Sequence, residues 1–562
     1  MNRYFCHTLL LLLFLVNAIP SFAQGQTDDV ILKAMQDELN RNMADLKLPN
    51  YDKPFFIMYG IQDQKDYTIT ATLGSLVRST EKSFRFKTNT RVLVGDYSFN
   101  DESLEDNLTS APTALEIALP LDDDYIGIRR SLWSSTDKVY RDAARHFQRH
   151  QQTLKETGKA LADIPHRSFA KGSPIKVVSA HSPYSFDKSK WEQQLKKLSS
   201  LFLHHPSIQN STVIMQFTEG YKYLVNSEGV VAKIPFRKTS FMSVGQLKNA
   251  EGEFAWDQVS HQTFLPDELP SEDQLKKEIE DMIVALEKQL SIPKFEDEYN
   301  GPVLLVGPVV ADVFSSVLFS GPENILASNT IPRLTGFQYQ AEPLMDTKIG
   351  KSVFHESLTI KAKPKLKSYN GTVLASTFEI DDEGIVPKDE LTIVEKGVLK
   401  NLLNDRTITH PTQSANGFSG GPGVLEVTST QKNSEKELKE KLITKAKSEG
   451  LDYALIIRNS PALMGIMNVY KVSINDGSEE LVRNAVYDGM NFKTLKRILG
   501  ASETYIAHNL NVADLQGTGQ NGGMGSYIVP NALLIEDMQV NQVQLPILKE
   551  EEYVANPLLQ GK

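Results

Sequence analysis

The stretch 299–321, YNGPVLLVGPVVADVFSSVLFSG, predicts a buried strand that leads directly into a helix. The run 299–306 is apolar and has the length of a strand, and the following segment has the composition of a packed helix. Places where a strand leads into a helix often carry active-site side chains. This helix carries Ser315, Ser316 and Ser320, which packing alone would explain as incidental residues.

The size and cysteine content of the chain limit its class. With 562 residues, more than one domain is expected. Hydrophobic residues make up 40% and charged residues 23%, so the chain can bury sizeable cores without disulfides or metals. Cys6 is the only cysteine. If the N-terminal segment is removed, disulfides, a thiolate nucleophile and cysteine metal ligands are all excluded.

The N-terminus resembles a secretory signal peptide. Arg3 forms a basic start, an apolar core runs over 9–16, and residues 21–23 (SFA) form a small-x-small ending. The apolar core is too short to span a bilayer, and no later stretch approaches that length. We therefore predict cleavage after Ala23 and an exported protein, periplasmic or secreted.

The charge of the chain disfavours nucleic-acid binding. The formal net charge is −10, and residues 1–23 contribute only Arg3, so the remainder carries −11 (−10 minus that one positive charge). No basic cluster with interleaved aromatic residues is visible.

Hydrophobic periodicity predicts an α+β fold. Residues 27–46 have helical spacing, several alternating strand-like runs follow over 54–98, and 271–290 read as an amphipathic helix that Ser271 caps and Pro293 ends. The charged link near 293–300 marks a domain boundary. The second half is β-rich, and we expect its strands to be joined by a DDEG turn (381–384) and an EKG turn.

No histidine pair is a convincing zinc site. His355 and Glu356 begin like a zincin motif, but no second ligand follows at the required spacing. His146 and His150 could share a helix face, yet their surroundings are basic and no acidic third ligand is near. The adjacent histidines His204 and His205 look like part of a loop.

Serine and carboxylate motifs are equally weak. Ser419 formally matches G-x-S-x-G but lacks the preceding strand and following helix of a nucleophile elbow. The glycine-rich loops do not open a helix with a lysine, as phosphate binding requires. Close carboxylates can perform acid/base chemistry, but they are also typical of an exposed turn. The crowded carboxylates are Glu379, Asp381, Asp382 and Glu383.

Several stretches in order resemble the TldD/PmbA family, zinc-peptidase-like proteins once named modulators of DNA gyrase. They include EYNGPVLL (298–305), GKSVFHESLTI (350–360), the run 376–406 and GQNGGMGSYIVPNALLIEDM (519–538). The resemblance implies an N-terminal sheet-and-helix region followed by a β-rich C-terminal domain of that family. Its boundaries would be 1–23 (signal peptide), 24–125 (N-terminal domain), 126–295 (central region) and 296–562 (C-terminal domain).

In zinc-bearing members of that family, the helix after GPVLL carries H-E-x-x-x-H, and a C-terminal glycine-rich loop carries a cysteine ligand. By rough alignment, Ser315, Ser316 and Ser320 stand at the His, Glu and His positions, and Gly522 and Gly523 lie near the cysteine position. Serine is a poor zinc ligand. The resemblance therefore implies a metal-free, PmbA-like chain without a cofactor of its own.

Three functional hypotheses follow. In the leading one, the chain is a non-catalytic subunit that binds unfolded or short peptides beside a zinc-bearing TldD-like paralogue. In the second, it is a stand-alone cell-envelope peptide-binding or scaffold protein, for example a homodimer. In the third, catalysis persists through Asp381, Asp382 and Glu383.

Overall fold

A computed structural model describes residues 29–104, 119–158, 160–164, 166–180, 182, 184–248, 254–289, 291–319, 325–326, 345–408, 414–419, 421–458, 467–488, 490–511 and 524–542. The predicted signal peptide therefore lies outside the described residues. Within these ranges, helices and many strands are present, which confirms the α+β prediction. No helix in the described part is long and apolar enough to cross a membrane.

Six α-helices are present in the described ranges. Asp124 caps the second at its N-terminus, and the expected cap Ser271 accepts a hydrogen bond from the backbone N–H of Gln274 at 3.2 Å. The Gln274 side chain bonds Glu278 instead of completing a capping box. The helices are α1 Val30–Asp45, α2 Tyr125–Thr157, α3 Lys188–Ser200, α4 Glu272–Lys288, α5 Val309–Phe319 and α6 Glu435–Ser448.

The N-terminal half forms one six-stranded sheet in the order β2-β1-β5-β6-β4, with β7 paired to the far part of β6. A separate short strand, β3 (Ser168–Phe169), pairs with the later strand Thr407–Ile408. The other strands are β1 Pro54–Thr72, β2 Ser75–Val94, β4 Ile175–Val178, β5 Ile208–Asn226, β6 Val230–Lys248 and β7 Phe254–Thr263.

The first two strands are much longer than the sequence pattern predicts. The runs read as separate strands over 54–98 merge into one hairpin, whose turn lies at Leu73 and Gly74, both at positive φ. Glycine adopts this backbone conformation without strain. The polar middle of each strand lacks a clear hydrophobic period, so only cross-strand pairing identifies it as strand.

The C-terminal half contains two larger sheets. One is six-stranded in the order β13-β12-β9-β15-β22-β21, and the other is seven-stranded in the order β18-β17-β16-β8-β23-β19, with β20 also on β23; a two-stranded ribbon joins β10 and β11. The strands are β8 Tyr299–Val306, β9 Leu358–Ala362, β10 Ser368–Tyr369, β11 Thr372–Val373, β12 Leu391–Glu395, β13 Val398–Leu399, β14 Thr407–Ile408, β15 Val424–Ser429, β16 Tyr453–Ile457, β17 Val469–Ser473, β18 Glu479–Val482, β19 Ala485–Asp488, β20 Ile498–Ala501, β21 Tyr505–Asn511, β22 Met524–Pro530 and β23 Ala532–Gln542.

Helix α5 lies in the core that these two sheets share. Its residues Val313, Phe314 and Val317 pack in one cluster with residues of both sheets, including Leu305 of β8 and Tyr527 of β22. Helix α6 covers the outer face of the seven-stranded sheet. The strand-to-helix prediction for 299–321 is therefore confirmed over 299–319.

The DDEG turn does not join two strands, contrary to the prediction. The residues around it, 376–390, are irregular, whereas the EKG turn does form a hairpin between β12 and β13. The physical reason is that the Asp381 carboxylate binds backbone N–H groups of its own loop. Such local side-chain bonds compete with a strand ladder.

Candidate functional site

The candidate site lies where α5 faces β21 and β22. Ser315 and Ser316 are half-buried on the helix, and Ser320 lies outside the described residues. Their neighbours Val313, Phe314 and Val317 are buried and anchor the helix in the core. The helix therefore presents small hydroxyl side chains from a rigid apolar support.

Tyr527 of β22 packs against this helix. Its ring is completely buried. Burial raises the pKa of its hydroxyl, the neighbouring Ser315 hydroxyl opposes that rise, and the carboxylate of Asp312 adds to it. The structure thus brings Asp312, Ser315 and Tyr527 together.

Asp312 is a site residue that the sequence did not indicate. It lies one turn before Ser315, and its Oδ2 atom is buried with no hydrogen-bond partner among the described residues. Burial raises the pKa of this carboxyl to about 7. An aspartate in the first turn of an apolar helix is an ordinary feature, so its unusual environment could only come from tertiary packing.

Asp312→Asn should flatten the pH dependence of stability. The carboxyl has a folded-state pKa of about 7 against its ordinary 3.8, so between about pH 4 and 7 the folded state holds a proton that the unfolded state has released. The free energy of unfolding of the unsubstituted chain should therefore fall, relative to that of the variant, as pH rises through this window. Urea denaturation at several pH values measures this difference.

Asp389→Asn is the matched control, because that carboxylate is 87% exposed in the same half of the chain. A difference between the unsubstituted chain and Asp312→Asn that stays constant from pH 4 to 7 would show that the Asp312 carboxyl is not held neutral.

His508 lies beside the same site. It pairs with Tyr527 across β21 and β22. Burial and the nearby His261 lower the pKa of its imidazole to about 4. The ring is therefore neutral at physiological pH. His261 itself contacts Glu278 at 2.6 Å.

The predicted carboxylate group separates into different roles. Asp381 accepts hydrogen bonds from the backbone N–H groups of Glu383 (3.0 Å), Ile385 (2.7 Å) and Ser419 (3.1 Å). Burial raises the pKa of its carboxyl to about 7, although these backbone bonds oppose the rise. Asp382 is 59% exposed and lies 3.2 Å from Lys222. Their part in catalysis stays a prediction.

Glu383 belongs to a buried charge network that the sequence did not reveal. Its carboxylate contacts the guanidinium of Arg91 and accepts a bond from the backbone N–H of Arg406 at 2.6 Å. The Arg406 side chain is fully buried and contacts Glu228 at 2.6 Å. Arg91 and Glu228 belong to the N-terminal half, so this network joins the two halves of the chain.

The remaining predicted motifs lie apart from α5. The His355 ring contacts the Ser357 hydroxyl at 2.9 Å in the loop before β9. His150 is buried, and its Nδ1 lies 3.2 Å from the carbonyl oxygen of Asn100. Ser419 lies in a loop that leads into β15 and not into a helix. Gly522 and Gly523 lie outside the described residues.

The β-rich half matches one family. Residues 302–542 match the family model of the PmbA/TldA metallopeptidase C-terminal domain. This part of the chain is a TldD/PmbA-type C-terminal domain. The match begins within β8 and ends at the last residue of β23, so this TldD/PmbA domain includes α5 and both C-terminal sheets. No curated protein matches the chain.

Solved structures share the fold over most of the chain. A protein from Thermotoga maritima described as a modulator of a DNA gyrase is 15% identical, with 86% of this chain and 96% of that chain covered and a TM-score of 0.52. A modulator of DNA gyrase from Bacteroides thetaiotaomicron is 11% identical, with 91% of this chain and 98% of that chain covered and a TM-score of 0.53. TldE from Thermococcus kodakarensis is 12% identical, with 90% of this chain and 100% of that chain covered and a TM-score of 0.51. At these identities the likeness concerns the fold alone.

The described residues at α5 do not fit a zinc ion. Zinc is held by thiolates, neutral imidazoles and carboxylates, usually three or four together. In the ranges that the structure describes, no three such groups converge, and Ser315 and Ser316 offer only neutral hydroxyls. Asp312 and His508 are single groups on different elements. The metallopeptidase chemistry named for the family therefore has no set of ligands in the described part of α5.

Proposed function

We propose that this chain is a metal-free subunit of an exported TldD/PmbA-type peptidase. The single observation that carries the proposal is that α5 presents Ser315 and Ser316 where the family resemblance places a histidine and the glutamate. The chain would bind unfolded or short peptides beside a zinc-bearing paralogue, which would supply the metal and the activated water. The predicted signal peptide supports a location outside the cytoplasm for this role.

The first experiment measures metal and activity on the purified chain alone. We expect far less than one zinc per chain and no cleavage of an unstructured peptide mixture analysed by mass spectrometry. The same preparation should begin at Gln24 if the predicted signal peptide is removed. One tightly held zinc per chain together with turnover would contradict the proposal.

The second experiment recovers the chain from its native host under mild conditions. We expect a co-purifying paralogue with an H-E-x-x-x-H motif, and peptidase activity of the complex that a chelator abolishes. Ser315→Ala and Ser316→Ala should leave this activity within about twofold, since hydroxyls are poor zinc ligands. The matched control changes the glutamate of the paralogue's own motif and should abolish turnover.

The alternative function is stand-alone peptide binding in the cell envelope. No helix among the described residues covers one face of the N-terminal sheet over much of its length, which favours a binding surface independent of any catalytic partner. A clean homo-oligomer from the native host, without a zinc-bearing chain, would support this alternative over the subunit role.

A further inference from the structure

The N-terminal sheet is covered by helices on one face. Residues of α1 to α4 pack against odd-numbered residues of the central strands, such as Tyr59, Ile69 and Phe217. Along β6, residues 239, 241, 243, 245 and 247 are buried, while the alternate residues are half-buried. Because strand side chains alternate between faces, the even-numbered residues form the face that none of the described helices covers.

We call this surface the open sheet face. It comprises the even-numbered residues of 62–72 in β1, 78–86 in β2, 212–222 in β5, 234–248 in β6 and 256–262 in β7, which the strand registers place on one side. At one end of this face, Phe56 and Met58 pack against Phe169, and Arg406 of the C-terminal half lies over the rings of Phe56 and Phe169. The Lys222–Asp382 ion pair lies at the border between this face and the C-terminal half.

The open sheet face is basic on an acidic chain. The whole chain carries a formal charge of −10. On the described strands of this face there is one acidic residue, Asp66, and its carboxylate accepts bonds from Gln64. The basic residues on the same face are Arg78, Lys82, Lys222, Lys238 and Lys248. A local excess of one charge selects ligands of the opposite charge.

Two of these cations lack a carboxylate partner in the described part of the chain. Arg78 and Lys82 are exposed on β2 and form no ion pair with a described residue, although Asp66 is paired opposite Lys82 on β1. Lys238 lies on β6, three strands from β2. Burial of the Lys238 amine without an acidic neighbour lowers its pKa. Aromatic rings lie among the cations, and Phe84 and Phe86 are 42% and 38% exposed.

The edge of the face can accept an extended chain. Strand β2 is the last strand of its sheet and pairs only with β1 among the described strands. Its outer backbone N–H and C=O groups are therefore available for pairing with a peptide strand. Alternate side chains of such a peptide would lie on the open sheet face, next to Arg78, Lys82 and Phe84.

We propose that the open sheet face binds acidic, unfolded peptide segments, with β2 as the pairing edge and Arg78 and Lys82 on that strand as residues that select acidic side chains. The inference rests on the proposed function, because it assigns the class of peptide that the chain receives. Peptide is favoured over nucleic acid because the acidic remainder of the chain repels a long polyanion, whereas a short peptide meets only this face.

The test measures binding of labelled peptides to the purified full chain by fluorescence anisotropy. The probe has about ten residues, the length of an ordinary strand, with Glu alternating with Ser. Two comparison peptides carry Gln or Lys in place of Glu. We expect the Glu peptide to bind at least tenfold more tightly than either and to weaken when salt rises to about 0.3 M.

The decisive variant is Arg78→Glu/Lys82→Glu, which should weaken binding of the Glu peptide at least tenfold. Lys196→Glu/Lys432→Glu is the matched control, since both lysines are exposed and lie outside the open sheet face, on α3 and in the loop before α6. If the double variant is unfolded by circular dichroism, Lys82→Gln alone tests the surface and should weaken binding measurably.

Four results would overturn the assignment. The first is equal binding of the Glu and Lys peptides, and the second is unchanged binding by the folded Lys82 variants. The third is tighter binding of a single-stranded oligonucleotide than of the Glu peptide, and the fourth is a self-association that Arg78→Glu/Lys82→Glu abolishes. Since no metal or partner enters this assay, its failure is distinct from a failure of the subunit role, which the zinc and co-purification experiments decide.

Discussion

Arg406→Met is expected to lower the free energy of unfolding by about 3–5 kcal/mol. This is the usual cost of removing one partner of a buried ion pair, because the other charge is left uncompensated. Glu228 is only 7% exposed and would lose its contact with the Arg406 guanidinium at 2.6 Å. The substitution also removes two bonds to the carbonyl oxygen of Ala170.

Aromatic contacts add to this loss. The Arg406 guanidinium carbon lies 4.2 Å from the ring centroid of Phe169 and 4.7 Å from that of Phe56. Both rings pack in the cluster where the two halves of the chain meet. Methionine fills much of the volume but provides neither the charge nor the five donors of arginine. We therefore expect the junction between the halves to loosen first.

Urea denaturation followed by circular dichroism measures the change. The matched control is Arg141→Met, which removes an exposed bond to Asp137 on α2 and should cost less than about 0.5 kcal/mol. Arg406→Met/Glu228→Gln should lose less than the sum of the single variants, since neither buried charge is then left alone. A loss below about 1 kcal/mol for Arg406→Met would contradict the buried-pair interpretation.

Asp381→Ala is expected to cost about 3 kcal/mol. Its carboxylate accepts three backbone hydrogen bonds that hold the 381–385 turn and the nearby Ser419. Each buried N–H left without a partner costs roughly 1–3 kcal/mol, and partial relaxation to water reduces the sum. The turn also positions Glu383 against Arg91, so its loss would weaken the same junction.

Asp382→Ala serves as the control on the neighbouring residue. Its carboxylate is 59% exposed and, among the described residues, pairs with Lys222 alone, so its loss should cost at most about 1 kcal/mol. If instead Asp382→Ala abolished a peptidase activity of the native complex while stability stayed unchanged, the catalytic hypothesis for this carboxylate group would gain support. Equal stability of Asp381→Ala and Asp382→Ala would contradict the structural role of Asp381.

Local sequence signals predicted the elements whose hydrophobic pattern lies within one continuous segment. The stripe of α4, with Leu275, Ile279 and Met282, repeats at helical spacing and is buried as expected. The strand and helix of 299–319 are predominantly apolar, so no neighbour was needed to identify them. The serines of α5 could also be recognised from sequence, but only through the family resemblance.

Signals that depend on distant partners were wrong or missing. The DDEG turn looked like a hairpin because acidic turn residues are common there, and nothing local shows that Asp381 is 4% exposed. Arg91 and Arg406 are separated by more than three hundred positions, so their shared contact with Glu383 has no signature in either segment. Asp312 likewise has an ordinary sequence context and an unusual environment.

Sequence by itself determined the α+β class and the TldD/PmbA character of the β-rich half. It also determined the absence of histidine and glutamate from positions 315 and 316 of α5, because these features depend on residue type and local period. Only the tertiary structure decided which charges are buried together and which face of the N-terminal sheet stays open. Those properties depend on strand register and on where four helices pack. A one-residue change of register would exchange the open basic face for the buried apolar one.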